Sequence, residues 1–184
     1  DGPDSVPLSG TGFDGVPAVS AAVNANHGFP LWYQDANGTR VEPCIEGADP
    51  KCILAGSGLN PALPTVWPTN FPGEFFYWIA DSNPVSAAGG TISVRMALEG
   101  TTAGVPADQA VFGRIRVTAL NMPVGTYTVV HPFGTDTITV TGGTRTVVTH
   151  DIGCAPAPAT PCNFAAALAS PVLEGDVQDA LDVE

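Results

Sequence analysis

The chain has 184 residues, 44% of them apolar, which is enough for one buried core with a small appendage. Gly (21) and Pro (18) together exceed a fifth of it while charged residues are 13%, a balance that excludes long helices and favours short strands joined by turns. The formal charge of -12, from 18 acids against five Arg and one Lys, excludes nucleic acid as an expected partner because phosphates are repelled.

Residues 1–26, "DGPDSVPLSGTGFDGVPAVSAAVNAN", are rich in Gly, Pro, Ala and Ser and read as an extended N-terminal segment. The opening "DGPDSVPLSG" has no basic n-region followed by an apolar h-region, so any signal peptide is expected to have been removed. No run approaches the roughly 18 apolar residues that a membrane span needs. Within the segment, "GVPAVSAAV" reads as an extended strand, with Val16, Val19, Ala21 and Val23 as the candidate assembly strand that lies against a partner surface.

A β-domain is expected over 27–153. "LWYQD" and "TRVEP" flank "ANG", where Gly38 supplies the positive φ of a three-residue hairpin loop. "EFFYWIA" is a continuous apolar run, read as a strand buried on both faces. "TISVRMALE" alternates, with Ile92, Val94, Met96 and Leu98 inward and Ser93, Arg95 and Ala97 outward. "RIRVTAL" places Ile115, Val117 and Ala119 inward and Arg114, Arg116 and Thr118 outward, again the pattern of a half-buried antiparallel strand. "TYTVVHPFG" and "TDTITVTGGTRTVVTHD" follow, Thr-rich on one face, with Gly142-Gly143 read as a further hairpin turn. Strands about every ten residues predict an all-β, antiparallel two-sheet sandwich of seven or eight strands, immunoglobulin-like in architecture but without the Cys-Trp-Cys core signature. In 154–184 the short segments "NFAAALAS" and "DVQDALDV" are the expected helices, and Glu174, Asp176, Asp179, Asp182 and Glu184 make the tail acidic.

The cysteines fall as Cys44-x7-Cys52 and Cys154-x7-Cys162, each pair around a Pro-bearing loop. Metal knuckles use tighter spacing, so two local disulfides are the favoured pairing of the three that four cysteines allow. Bridges imply an oxidising compartment, and the expected location is extracellular or the cell surface.

Candidate chemistry divides between sharp and plain readings. Asp35, Asn37, Thr39 and Glu46 match positions 1, 3, 5 and 12 of an EF-hand register, but Arg40 stands where the loop needs Gly, and strand-like residues replace the flanking helices; a hairpin turn is the simpler reading. Asn37-Gly38-Thr39 also fits the N-glycosylation sequon. His131 and His150, the latter followed by Asp151, could gather a metal, whereas His27 stands alone; solvated strand histidines are the plain alternative. There is no GxSxG elbow for a nucleophile. Among Trp32, Tyr33, Trp67, Phe75, Phe76, Tyr77 and Trp78, the run "FFYW" cannot present every ring to solvent, because neighbours alternate faces. Trp32, Tyr33 and Trp67 remain as a candidate platform for a glycan, while core packing is the plain reading for the rest.

In "GFPLWYQDANGTRVEPC", "FPGEFFYWIAD", "AVFGRIRV" and "HPFGTDTITV" the chain resembles a group of secreted bacterial proteins of unknown function that share this order of segments. The resemblance covers most of 28–152 and implies an extracellular β-rich module, with no catalytic or binding residues carried over. The sequence therefore predicts a non-enzymatic structural protein without cofactor or metal: a subunit of an extracellular filament or surface assembly, binding other copies of itself by adding its N-terminal segment to a neighbour's sheet edge. An adhesin or carbohydrate-binding module is the alternative, and a secreted hydrolase or metalloenzyme needing His131, His150 and Asp151 to converge is the second.

Overall fold

The period-two pattern in residues 90–120 decides the architecture. Val94, Met96 and Leu98 are buried on one face of β6 (Gly90–Thr101), and Ile115, Val117 and Ala119 on the same face of β7 (Ala110–Leu120). The computed structural model describes residues 15–45, 52, 59–82, 84–87, 89–102, 109–154 and 161–174, and these are mostly β. β6 and β7 pair antiparallel from Thr91↔Leu120 to Thr101↔Ala110. They form the middle of a sheet ordered β10-β7-β6-β4, where β4 is Glu74–Asp81 and β10 is Arg145–Gly153; β5 (Val85–Ala87) pairs with the start of β6.

A bulge in β4 between Phe76 and Trp78 resolves the "FFYW" run. Phe75 opposes Gly100 on the core face and Phe76 opposes Glu99 on the other; the extra residue, Tyr77, then lets Trp78 oppose Leu98 on the core side. Gly100 leaves room for the Phe75 ring, since a Cβ there would stand 2.2 Å from it.

Three pieces cover the core face. The hairpin β8 (Gly125–His131) and β9 (Gly134–Val140) turns at Pro132-Phe133 and sends Ile138 and Val140 inward, and Phe133 meets Trp78 edge-on at 6.5 Å. A small antiparallel sheet, β1 (Ala18–Val19), β2 (Tyr33–Gln34) and β3 (Arg40–Val41), brings in Phe29 and Tyr33. A 3-10 turn over Phe164–Ala169 and α1 (Pro171–Glu174) contribute Ala167, Val172 and Leu173. Ten strands stand in three antiparallel sheets among the described residues, more than the seven or eight expected because three of them are two-residue pairings. The second expected helix, "DVQDALDV", lies outside the described residues.

Gly142-Gly143 does not close a hairpin. β9 pairs with β8, and β10 pairs with β7 from Arg145↔Leu120 to Gly153↔Phe112, so the chain uses this double glycine, at φ 130° and 89°, to pass from one sheet to the other. A second correction concerns Arg114 and Ala97, expected outside. They do lie on the face away from the core, yet both are buried. Arg114 is held there by hydrogen bonds: Nε and Nη2 donate to the two oxygens of the Asp151 carboxylate at 2.7 and 2.8 Å, and Nη1 donates to an oxygen of Glu99 at 2.8 Å. Its guanidinium also covers the Phe112 ring at 4.8 Å.

Both local disulfides are present, Cys44–Cys52 and Cys154–Cys162, and no described cysteine is free. They fit an oxidising, non-cytoplasmic environment. Among the described residues no helix is long and apolar enough to cross a membrane.

Candidate functional site

"DANGTR" forms a turn. Asp35 Oδ1 accepts from the Asn37 and Thr39 amides at 2.9 and 2.8 Å, the Asp35 amide donates to the Thr39 carbonyl at 3.0 Å, and Gly38 takes φ 87°. The carboxylate is fully buried and caps the β2–β3 connection. Glu46 lies outside the described residues, and Asn37 of the sequon is exposed at the tip.

At the open end of the same β2–β3 pair, away from the turn, lies a cleft of about 540 Å³, within the range of small-ligand sites. Trp32, Leu31, Asn24, Asn26 and His27 line one side, Glu42, Pro43 and Ile45 continue it, and Pro61, Leu63, Pro64 and Thr65 form the facing wall. Each wall has a local cause. The 18–34 segment folds back on itself: the Ser20 amide donates to the Trp32 carbonyl at 3.0 Å, the Asn24 amide to Phe29 at 2.9 Å, and Val23 bridges Pro30. It is anchored beneath by Tyr77, whose hydroxyl donates to the Pro30 carbonyl at 2.8 Å. The proline-rich wall is organised by Asn70, whose Nδ2 donates to the carbonyls of Asn60, Leu63 and Pro64 at 3.2, 3.3 and 3.0 Å while its Oδ1 accepts from the Asn60 amide at 3.0 Å.

Trp32 is half-buried, with the Arg40 guanidinium stacked 4.1 Å from its ring centroid. His27 is buried and remains neutral, because burial lowers its pKa from 6.5 to about 4. Its Nδ1 accepts from the Phe29 amide at 3.2 Å, which leaves the proton on Nε2 as a donor. Nε2 has no protein partner among the described residues and is not sealed from solvent; Trp78 Nε1 is the one sealed, unpartnered polar side-chain atom there. The cleft thus joins one aromatic face to amide, imidazole, hydroxyl and carboxylate groups.

The three platform residues part company. Trp32 lines the cleft. Tyr33 cannot meet a ligand: it is fully buried, its ring meets Tyr77 edge-on at 4.9 Å, and its hydroxyl donates to the Phe164 carbonyl at 2.9 Å. Burial raises both phenol pKa values well beyond the ordinary range. Strand alternation explains the split, since adjacent residues 32 and 33 face opposite ways. Trp67 is half-buried outside the cleft lining, with its amide bonded to the Asn26 carbonyl at 3.0 Å. Of the candidate assembly strand, Val19 pairs with Tyr33 of its own chain, whereas Val16 and Val23 are 67% and 50% exposed and Ala21 is exposed.

His131 and His150 do meet, but through Asp136. Asp136 Oδ1 lies 2.7 Å from His150 Nε2 and Oδ2 lies 3.2 Å from His131 Nε2. Asp151 is absent from this group because it points to the opposite face of β10, into Arg114. No group of His, Cys, Asp or Glu among the described residues is arranged to hold a metal.

Sequence reasoning missed Asn24, Asn26, His27, Glu42 and the 61–65 wall as one site. No periodicity links "NANH" to "NPALPT"; the Trp67 amide bond to Asn26 and the Asn70 contacts bring them together. No protein-family model matches the chain, and no curated protein or solved structure shows significant similarity to it.

Proposed function

We propose that the protein is an extracellular, non-catalytic binding module, of immunoglobulin-like two-layer β construction, that seats a saccharide in the cleft beside Trp32. One observation carries this reading: an aromatic ring stacked against Arg40 borders the same cleft as Asn24, Asn26, Glu42 and His27. Sugar rings have apolar faces suited to an indole and hydroxyls suited to such donors and acceptors, and a half-buried ring has less freedom to lose on binding than an exposed one. The two disulfides support placement outside the cytoplasm. A glycan array followed by tryptophan-fluorescence titration tests it. Trp32→Ala is expected to weaken the identified ligand at least about thirtyfold, as for a buried aromatic anchor. Silence across common polysaccharides would overturn the reading.

The second reading is the structural subunit that binds copies of itself through residues 16–23. It is favoured by exposed Val16 and Val23 and by the outer edge of β1, which takes no strand among the described residues. Since β1 is already paired with its own β2, the segment would serve here as an edge that receives a neighbour's strand. Light scattering in which Val16→Asp with Val23→Asp leaves the assembly state unchanged would remove this reading.

A further inference from the structure

The two ends of the main sheet are treated differently. At β4, the Cys44 amide donates to the Phe76 carbonyl at 2.9 Å, so the first disulfide loop begins on that edge. At the other end β10 runs nine residues in unbroken register with β7, and its outer edge takes no strand and no backbone hydrogen bond among the described residues. β10 has no Pro, no Lys and no bulge, and the charges it does carry, Arg145 and Asp151, are of opposite sign.

We infer that β10 is a self-association edge, pairing antiparallel with β10 of a second copy about a twofold axis through Val148. The charges select this occupant and this register. Antiparallel self-pairing centred on Val148 sets Arg145 opposite the partner's Asp151 at both ends, Thr146 opposite the partner's His150 and Val147 opposite the partner's Thr149. Arg145 and Asp151 stand an even number of residues apart, so they share the face away from the core. Arg145 is exposed and has no ion-pair partner among the described residues. Asp151 accepts one bond from Arg114 at each oxygen and keeps a further acceptor site on each, with its side chain 25% exposed.

A parallel pairing would set Arg145 against Arg145, and a two-residue slip would leave both charges unmatched. The interface is isologous and closes on itself, so it yields a dimer with one continuous sheet. The backbone bonds supply the adhesion, while the rim charges fix register and oppose the long-range repulsion of two chains of charge -12. The surface is separate from the Trp32 cleft and from residues 16–23.

Analytical ultracentrifugation of the full chain up to roughly 0.5 mM tests this, a range that captures weak dimers. The wild type is expected to dimerise. Arg145→Asp, which sets acid against acid at both ends, is expected to raise the dissociation constant at least about tenfold with no change in circular dichroism. Val148→Cys is expected to form a covalent dimer under mild oxidation, whereas Val130→Cys, on the exposed hairpin face, is not. A monomer throughout the range would overturn the inference. So would a dimer that Arg145→Asp leaves intact, or one in which Val148→Cys fails to cross-link.

Discussion

His150 Nε2 lies 2.7 Å from Asp136 Oδ1, and through this contact a carboxylate on β9 ties the overlying hairpin to an outer strand of the main sheet. The same carboxylate takes His131 Nε2 at 3.2 Å, and His131 Nδ1 accepts from the Phe133 amide at 3.3 Å, which fixes the turn of the hairpin. His131 has a side chain 5% exposed, whereas that of His150 is 52% exposed. Asp136→Ala strands the buried imidazole N–H and is expected to cost about 2–3 kcal/mol in urea denaturation, the range for a hydrogen bond to a charged group with its buried partner left alone. His150→Ala, at a half-exposed contact, is expected to cost less than about 1 kcal/mol. Equal losses from the two variants would contradict this assignment of roles.

Glu99 gives the molecule an unusual pH response. Burial, and then a hydrogen bond with the neighbouring Glu74 carboxyl, push its pKa from 4.5 up to about 8, against the opposing pull of Arg114. The folded state therefore holds a proton that the unfolded chain releases, and stability falls as pH rises from about 4.5 through about 8. His27 acts with the opposite sign: its pKa is lowered to about 4, so its contribution is present above 6.5 and is lost as pH falls towards 4. The two overlap at acid pH, leaving the range from 6.5 to 8 to Glu99 alone of the pair. Thermal melts are expected to decline across that range in the wild type, and Glu99→Gln, which keeps a donor for Glu74 and an acceptor for Arg114, is expected to flatten the decline. An unchanged slope in the variant would show that Glu99 is not the titrating group.

How far the sequence reveals this molecule depends on whether a feature is local. The alternation in β6 and β7, the Gly38 turn and both disulfides follow from residues close together in the chain, and they are legible from it. The path after Gly142-Gly143 is not, because a double glycine permits both a hairpin and a change of sheet, and the choice is made by Ile138 and Val140 burying against the core. Arg114 illustrates a second limit. Period-two alternation assigned its face, yet nothing local foretold that Asp151 and Glu99, 37 and 15 residues away, would allow an arginine to be buried. The cleft lies at the far end of this scale, since Trp32 was visible as an aromatic but its neighbours Pro61, Leu63 and Pro64 come from a loop with no period.

Asn70 organises that loop with one side chain, donating to three carbonyls and accepting one amide. Asn70→Ala leaves the 60–70 segment without its tie, and Asn70→Asp replaces the donor with an acceptor facing acceptors. Both are expected to lower stability by about 1–2 kcal/mol, with Asp the worse, because removing a hub exposes rather than buries the orphaned carbonyls. Faster amide exchange confined to residues 59–70, without change in the β6–β7 amides, is the expected signature. Global loss of protection would mean that the loop supports the fold as a whole.

Gly113 carries the packing of the C-terminal segment. It lies on the core face of β7, and a Cβ there would stand 1.8 Å from Ser170 Oγ and 3.0 Å from a Val172 methyl. The first distance is backed by a rigid arrangement: Ser170 is buried, its amide is bonded to the Ala167 carbonyl at 3.0 Å, and its own carbonyl takes the Leu173 amide at 3.0 Å. An added methyl must therefore displace the whole junction between the 3-10 turn and α1, which draws Val172 and Leu173 from the core and breaks the Ala36 amide bond to the Leu173 carbonyl, 3.1 Å in length. Gly113→Ala is expected to destabilise the protein by about 1–3 kcal/mol, the cost of overpacking, rather than to stabilise it as an alanine in a strand otherwise would. The compensating double variant Gly113→Ala with Ser170→Gly removes the colliding hydroxymethyl and is expected to recover at least half of the loss. Denaturation midpoints of the four proteins in that cycle decide the matter, because additive losses would show that the methyl and Ser170 do not compete for the same space.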